Sequence, residues 1–507
     1  MSRLRSLVKD SLAYGVSSLL SRFLNFLLVP FYSHVLTPGE FGVSNIVFAL
    51  VAFLNILYQA GFDASYLRLA HDAEREGEAS GRTLFSTALW SQAGVSLTLT
   101  GPFLLVAPWL GKIFNVPADY GRLFTLAAVI LALDALSVVP MAHLRYKRKA
   151  LHFAFIRLGS VVVNITGNLV LVLGMNRGLE GIFLANVIAS ACTLAFLAPV
   201  YAANVRLAFA GARLKALIAF GLPFIPAGLY GIINEMAGRL FLSRLSNDDV
   251  ARLHPGTGWD TLHLTGVFSA AWKLGIFGLL LVQMYRLAWQ PFFLRHHTDA
   301  DAPALFGRVL RALLLFVGLA GLALSLFLDK LVSAPIFGTP LIAPAYWAGL
   351  PIVPGILLAY ALQAWFVHFT LGVYVAKKSG SLIWINGVGA AITVTFSLWL
   401  VPRYGLWGAV WAAVACYAVM AVLMTRTSQA LYRIDLDWPR LLPLFVWLLL
   451  AFAAGSWVQA HPETGYVVRF VLLGAGLAFP FISGAVTKRE WEIAKALVRR
   501  QRVEGRG

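Results

Sequence analysis

"LVLGMNRGLEGIFLANV", residues 171–187, has a partner 227 residues later in "LWLVPRYGLWGAVWAAV", residues 398–414. In both, an apolar helix ends, a short turn with one arginine follows, and a Gly-x-x-Gly opens the next apolar helix. Gly178 and Gly181 fall on Gly405 and Gly408, and Ala185 falls on Ala412. Weaker echoes lie elsewhere. "GEFGVSN" (39–45) resembles "LTGVFSA" (264–270), each opening the second helix of its half, and "YKRK" (146–149) and "AKKS" (376–379) each separate a fourth from a fifth helix. The pattern predicts two six-helix lobes, 1–205 and 206–430, two further helices within 431–487, and a basic tail, 488–507. Both copies begin on the same side, so the repeat is parallel, with its axis along the membrane normal.

The surrounding sequence is built for lipid. It is 59% hydrophobic and only 13% charged, with a mean hydropathy of +0.76, against about 25% charged in soluble domains. Apolar runs of about 20 residues, enough to cross a ~30 Å hydrocarbon core as helix, recur from end to end. They lie at 11–33, 42–66, 83–109, 119–142, 152–175, 179–203, 216–242, 264–290, 306–332, 348–375, 380–401, 405–427, 440–460 and 466–486. Several are rich in Ala, Leu and Val without strict alternation, which argues against barrel strands. The expected fold class is an all-α integral membrane protein of about fourteen transmembrane helices. Cys192 and Cys416 fall inside spans and read as small packing residues.

The net charge of +18 suggests a nucleic-acid partner until its distribution is mapped. With fourteen spans and the N-terminus inside, and with cations toward the span ends counted in the flanking segments, the inward segments hold 30 Lys and Arg and the outward ones nine, leaving Arg22 and Lys273 deep within spans. That asymmetry is the positive-inside rule of polytopic membrane proteins. The basic balance therefore concerns orientation and anionic inner-leaflet lipid, and both termini are expected to be cytoplasmic. "MSRLRSLVKD" (1–10) leads into too long an apolar run for a cleaved signal peptide and reads as the start of an uncleaved helix.

The longest polar stretches, about 68–82, 243–263 and 294–305, are too short to fold as soluble domains. No GxxxxGK[ST], HExxH, CxxC or GxSxG motif occurs, so neither nucleotide hydrolysis nor a hydrolytic or metal centre is expected, and no cofactor. His296 and His297, with Asp299 and Asp301 nearby, read as a solvated loop. The chain is not expected to be an enzyme.

Polar residues inside the spans are the candidates for function, because an ionisable group in a membrane helix costs ~2.5–3.5 kcal/mol on insertion scales. Ser11, Ser18, Arg22, Asn25 and Tyr32 share one face of the first span, and Asn45, Asn55, Gln59, Asp63 and Tyr66 repeat the device in the second. Such stripes suit the lining of a water-filled cavity or bonds to neighbouring helices. Lys273 sits about nine residues into the eighth span, a second deep cation beside Arg22. Asp134, comparably deep, is a possible partner for Arg22, and Glu235 and Arg239 stand at i, i+4. A diphosphate would suit such cations, arginine meeting it bidentately and lysine as a point charge. Pro223 and Pro226 in "GLPFIPAG" (221–228), and Pro30 in the first span, are candidate hinges. The tail "KREWEIAKALVRRQRVEGRG" (488–507) reads as a basic cytoplasmic segment, or as an interfacial helix with Trp491, Ala494 and Leu497 on one face.

The opening segment, "SLAYGVSSLLSRFLNFLLVPFYSHVLTPGEFGVSNIVFALVAFLNILYQAGFDASYLR" (11–68), resembles the first two helices of polysaccharide-transporter (Wzx-type) flippases of the multidrug/oligosaccharidyl-lipid/polysaccharide (MOP) superfamily. "GVFSAAWKLGIFGLLLVQMYRLAWQPFF" (266–293) resembles their eighth helix, and the repeated glycine turn resembles their sixth- and twelfth-helix openings. The resemblance implies export of undecaprenyl-diphosphate-linked oligosaccharide across a bacterial inner membrane, through a central cavity with a cationic lining. On that basis Arg22, Lys273 and Arg239 are the candidate substrate-binding residues, and Ser18, Asn25, Asn55 and Gln59 the candidate cavity lining. Asp63, Asp134 and Glu235 are candidates for ion coupling or charge balance. The implied partners are the lipid-linked substrate, membrane lipid, H+ or Na+, and polymerase or ligase proteins of the same pathway. An ion-coupled drug or cation antiporter of the same superfamily stays open as an alternative, as does a membrane glycan polymerase or ligase.

Overall fold

The computed structural model describes Leu20, Leu24 and residues 26–485 apart from Phe337. The expected first span therefore lies mostly outside the described residues, as does the 488–507 tail. The described chain is helical throughout, save for a two-residue hairpin pairing Pro335–Ile336 with Thr339–Pro340.

The helices, in chain order, begin with α1 (Leu28–Val35), α2 (Pro38–Gln59), α3 (Phe62–Arg75), α4 (Glu78–Ile113), α5 (Gly121–Tyr146) and α6 (Ala150–Asn168). They continue with α7 (Gly178–Phe196), α8 (Ala198–Asn204), α9 (Gly211–Gly221), α10 (Phe224–Leu242), α11 (Asn247–Leu253), α12 (Thr261–Leu274) and α13 (Ile276–His296). The remainder are α14 (Ala302–Ser333), α15 (Val353–Val375), α16 (Gly380–Tyr404), α17 (Leu406–Leu431), α18 (Trp438–Ala460) and α19 (Tyr466–Ile482). Twelve helical stretches among the described residues are long and apolar enough to cross a membrane. They coincide with the second to thirteenth expected spans, and α19 is a shorter apolar helix at the fourteenth. The chain is a multi-pass α-helical membrane protein.

The opening glycine of the repeated turn has the same φ in both copies, although a π-helical turn, Leu169–Gly174, precedes it in the first and an α-helix, Gly380–Tyr404, in the second. Gly178 and Gly405 open their helices at φ +51° and +53°, left-handed values that glycine adopts without the Cβ penalty. The second glycines sit against the preceding helix: a Cβ on Gly408 would lie 2.3 Å from the Leu400 carbonyl oxygen, and one on Gly181 would lie 3.1 Å from the Val172 side chain.

Two units form separate sets of packed helices. The first holds residues 1–273 and 386–412 and the second 274–385 and 413–507. In the first, α2 starts at a capping box. Thr37 accepts from the Glu40 amide at 3.3 Å while the Glu40 carboxylate accepts from the Thr37 amide at 2.9 Å, satisfying two helix-start amides. The helix stops at Ala60 and Gly61, both left-handed, and α3 leaves at a kink. Phe62, Tyr66, Phe85 and Ile156 form its core. The same unit contains the 247–263 loop, which is built rather than loose. Ser246 and Asp249 cap α11, Thr261 donates to the Asn247 side chain at 2.9 Å, and Arg252 donates to the Pro402 carbonyl at 2.9 Å.

In the second unit α14 packs on α18 and α19 through Leu322, Leu326, Ala451 and Val458. At one end of this packing, Arg469 on α19 is fully buried and grips Asp329 on α14. Its Nη2 reaches Asp329 Oδ2 at 2.8 Å, while Nη1 donates to the Leu326 carbonyl at 2.6 Å and Nε to that of Thr464 at 3.0 Å.

Candidate functional site

Lys273 is the second-last residue of α12, and its ammonium lies 4.5 Å from the ring centroid of Phe41 on α2. Phe41 itself is buried. A desolvated cation over an aromatic face gains roughly 2 kcal/mol from the ring quadrupole, a partial substitute for the water lost. Arg239, on α10, is 6% exposed. Its Nη1 points to Met236 Sδ at 2.8 Å. Among the described residues no carboxylate lies within ion-pair distance of Lys273, and Glu235, half-buried on α10, joins no ion pair.

The other expected acids are already engaged. Asp63 on α3 pairs with Arg145 on α5 at 2.6 Å. Asp134, deep in α5, accepts from Ser190 on α7 at 2.7 Å. The cation whose field reaches both Asp134 and Asp63 is Arg157 on α6. Arg157 is exposed, and, seven residues into α6, it belongs to the span although the charge count placed it with the flanking loop. Asn55 and Gln59 are half-buried and bond to each other at 2.8 Å. Asn45, by contrast, is buried and donates to the Phe41 carbonyl at 2.7 Å, so it ties its own helix together rather than lining a cavity. Tyr66 is likewise internal, with its hydroxyl 2.7 Å from His143 Nδ1.

Arg22, Ser18 and Asn25 lie outside the described residues. The structure thus seats Lys273 on Phe41 and buries Arg239 beside Met236, and engages Asp63 with Arg145 and Asp134 with Ser190. No group of three or more His, Cys, Asp or Glu residues suited to a metal occurs among the described residues. His296 bonds to Asp299 at 2.7 Å in its loop. A cleft of about 390 Å³ opens among Glu74, Arg82, His143, Lys147, Lys149 and Asn204. Its charges are largely spent on each other, Lys147 on Glu74 and Arg82 on Glu78.

Residues 33–251 match the family model described as polysaccharide biosynthesis protein. Among curated proteins none matches the sequence significantly. The fold is similar to that of the lipid II flippase MurJ in an inward closed conformation, with a TM-score of 0.67 at 11% identity over 94% of this chain and 99% of that one. It is also similar to an inward-facing multidrug resistance MATE family transporter of the MOP superfamily, with a TM-score of 0.60 at 14% identity over 83% and 97% of the two chains. A mutant of the Vibrio cholerae MATE transporter VcmN gives 0.53 at 13% identity over 85% and 98%. Fold and family match agree with the resemblance carried by the opening helices and the repeated glycine turn: the chain has the fold of these transporters, and residues 33–251 match the polysaccharide biosynthesis model.

Proposed function

We propose that the chain is a flippase that moves undecaprenyl-diphosphate-linked oligosaccharide, an O-antigen, capsule or exopolysaccharide repeat unit, to the periplasmic leaflet of a bacterial inner membrane. Two lobes, 1–205 and 206–430, alternate access to a central cavity while the lipid tail stays in the bilayer. Both termini are cytoplasmic in this reading. The polysaccharide-biosynthesis match supports the substrate class. The observation that carries the reading is Lys273 held against the Phe41 ring inside the membrane span, with no carboxylate in ion-pair distance among the described residues, a place where a diphosphate would supply negative charge. The chain's task is to bind and reorient, and no bond is made or broken.

Deleting the gene should leave lipid-linked repeat units accumulating in the inner leaflet while their synthesis continues. Units that reach the outer leaflet and merely fail to polymerise would instead mark the chain as a polymerase or ligase. Ion-coupled antiport is the second reading, favoured by Asp134, a membrane-embedded acid with a hydroxyl partner and no cation within ion-pair distance among the described residues. Efflux of a cationic drug that disappears in Asp134→Asn, with polysaccharide export untouched, would establish it.

A further inference from the structure

Helices α2 and α12 cross with their backbones in contact, and the contact is reciprocal. A Cβ built on Gly42 would lie 2.2 Å from the Leu262 carbonyl oxygen, and one on Gly266 would lie 1.7 Å from that of Pro38. Each glycine meets the carbonyl four residues before the other, so the contact is symmetric at a spacing of 224 residues, close to the 227 of the repeated glycine turn. Nothing larger than hydrogen fits at either position, because the opposing atoms are backbone.

Farther along the same span, at the kink between α2 and α3, a second backbone contact forms. A Cβ on Gly61 would lie 2.2 Å from the Gly221 carbonyl oxygen, and one on Gly221 would lie 3.0 Å from those of Ala60 and Gly61. Gly221 ends α9, immediately before the break at Leu222 and Pro223. About 28 Å of helix separates Gly42 from Gly61 at 1.5 Å per residue. The two contacts differ in kind. The Gly61 contact joins two bent segments, and α9 is further packed on α3 and α4. The Gly42 contact joins two straight helices beside Lys273, whose ammonium is covered by Phe41, the neighbour of Gly42.

We propose that Gly42 and Gly266 form a latch that closes the Pro38 end of the α2–α12 pair, that Gly61 and Gly221 form the pivot about which it opens, and that Phe41 couples the latch to Lys273. With the latch closed, the ammonium rests on the ring. An anion that takes up Lys273 competes with Phe41 and loosens the crossing. The coupling step rests on the diphosphate reading above, whereas the latch and pivot do not.

The test uses the full chain in lipid nanodiscs, with Cys192 and Cys416 replaced and a reporter cysteine at Ser269, a fully buried position one helical turn from Gly266. In the otherwise unaltered chain a water-soluble maleimide should label it slowly. Gly266→Val should raise the rate about tenfold or more, as expected when a minor open state becomes the major one. Gly39→Val, where a side chain meets nothing within 4 Å, should leave the rate unchanged. A Gly266→Val chain that reaches the membrane and still labels at the original rate overturns the latch. Should that variant fail to accumulate, hydrogen exchange of the unsubstituted chain decides. Amides around 42–47 and 266–271 should open together while those around 57–62 and 217–222 stay protected, and equal protection at all four overturns the proposal. Inorganic pyrophosphate should then speed labelling in the Lys273 chain and not in Lys273→Gln. Opening by Gly266→Val with no response to pyrophosphate supports the latch and overturns the diphosphate reading of Lys273.

Discussion

Buried charges are settled in two different ways in this molecule, and each makes its own prediction. Arg469 and Asp329 neutralise each other, and the remaining arginine donors end on carbonyls. Removing one partner of such a pair strands a charge and costs roughly 3–5 kcal/mol, whereas replacing both with apolar residues is close to neutral. Arg469→Met should therefore lower thermal stability in detergent sharply, and the Arg469→Met/Asp329→Leu double variant should recover most of the loss. A double variant as unstable as the single one would show that the carbonyl contacts matter more than the ion pair. Lys273 is different, its ammonium resting on the Phe41 ring with no carboxylate in ion-pair distance among the described residues. Lys273→Gln should abolish or strongly cut export while membrane levels hold, and Lys273→Arg should retain much of it, since the charge is kept. Normal export by Lys273→Gln would remove the residue from the substrate path.

Element ends and kinks show where reading the chain succeeds and where it stops. Length and apolarity located the spans within a few residues of α4, α14 and α16, because a hydrocarbon slab imposes one length on every crossing helix. The repeated Gly-x-x-Gly was legible because both glycines answer to local backbone geometry, a left-handed φ and a close approach. The kink at Ala60 and Gly61 was not, since Ala60 carries no sign of a left-handed residue and the helical periodicity runs through it. Asn45 and Tyr66 share a stripe with Asn55 and Gln59 in sequence, yet this kink and the packing of α2 on α5 and α10 turn them inward. Arg157 escaped for another reason: near the end of a span a cation reads as interfacial and is counted with the loop. The start of α2 makes a local test. Thr37→Ala removes the cap acceptor and should cost about 1 kcal/mol, read as a lower unfolding temperature, with Thr37→Ser restoring it. A Thr37→Ser chain no better than Thr37→Ala would mean that the methyl group, rather than the hydroxyl, matters there.

At the scale of the whole chain, the 30-to-9 division of basic residues predicts an orientation that the helices alone leave open. Orientation in turn decides how the membrane potential acts on the proposed cargo. Ser33, a natural choice for an outside label, is 5% exposed with its hydroxyl on the Pro30 carbonyl, so the exposed turn at Asp119 is the better reporter, and exposed Ser379 serves for the opposite side. Single cysteines at these two positions should label from outside and from inside respectively in intact cells. If Asp119→Cys labels only after the membrane is broken, the orientation is reversed and export cannot run outward. Given the predicted orientation, each unit charge crossing 100 mV is worth ~2.3 kcal/mol, and an inside-negative potential drives an anionic diphosphate outward. The same potential draws the emptied cationic site back toward the cytoplasm, so loading and return are both assisted. Collapsing the potential in vesicles should therefore slow flipping by the unsubstituted chain more than the residual flipping of Lys273→Gln, because the variant returns one charge fewer. Equal slowing of both would place the voltage dependence on the substrate alone, and no slowing in either would show that an ion gradient, not the potential, powers transport.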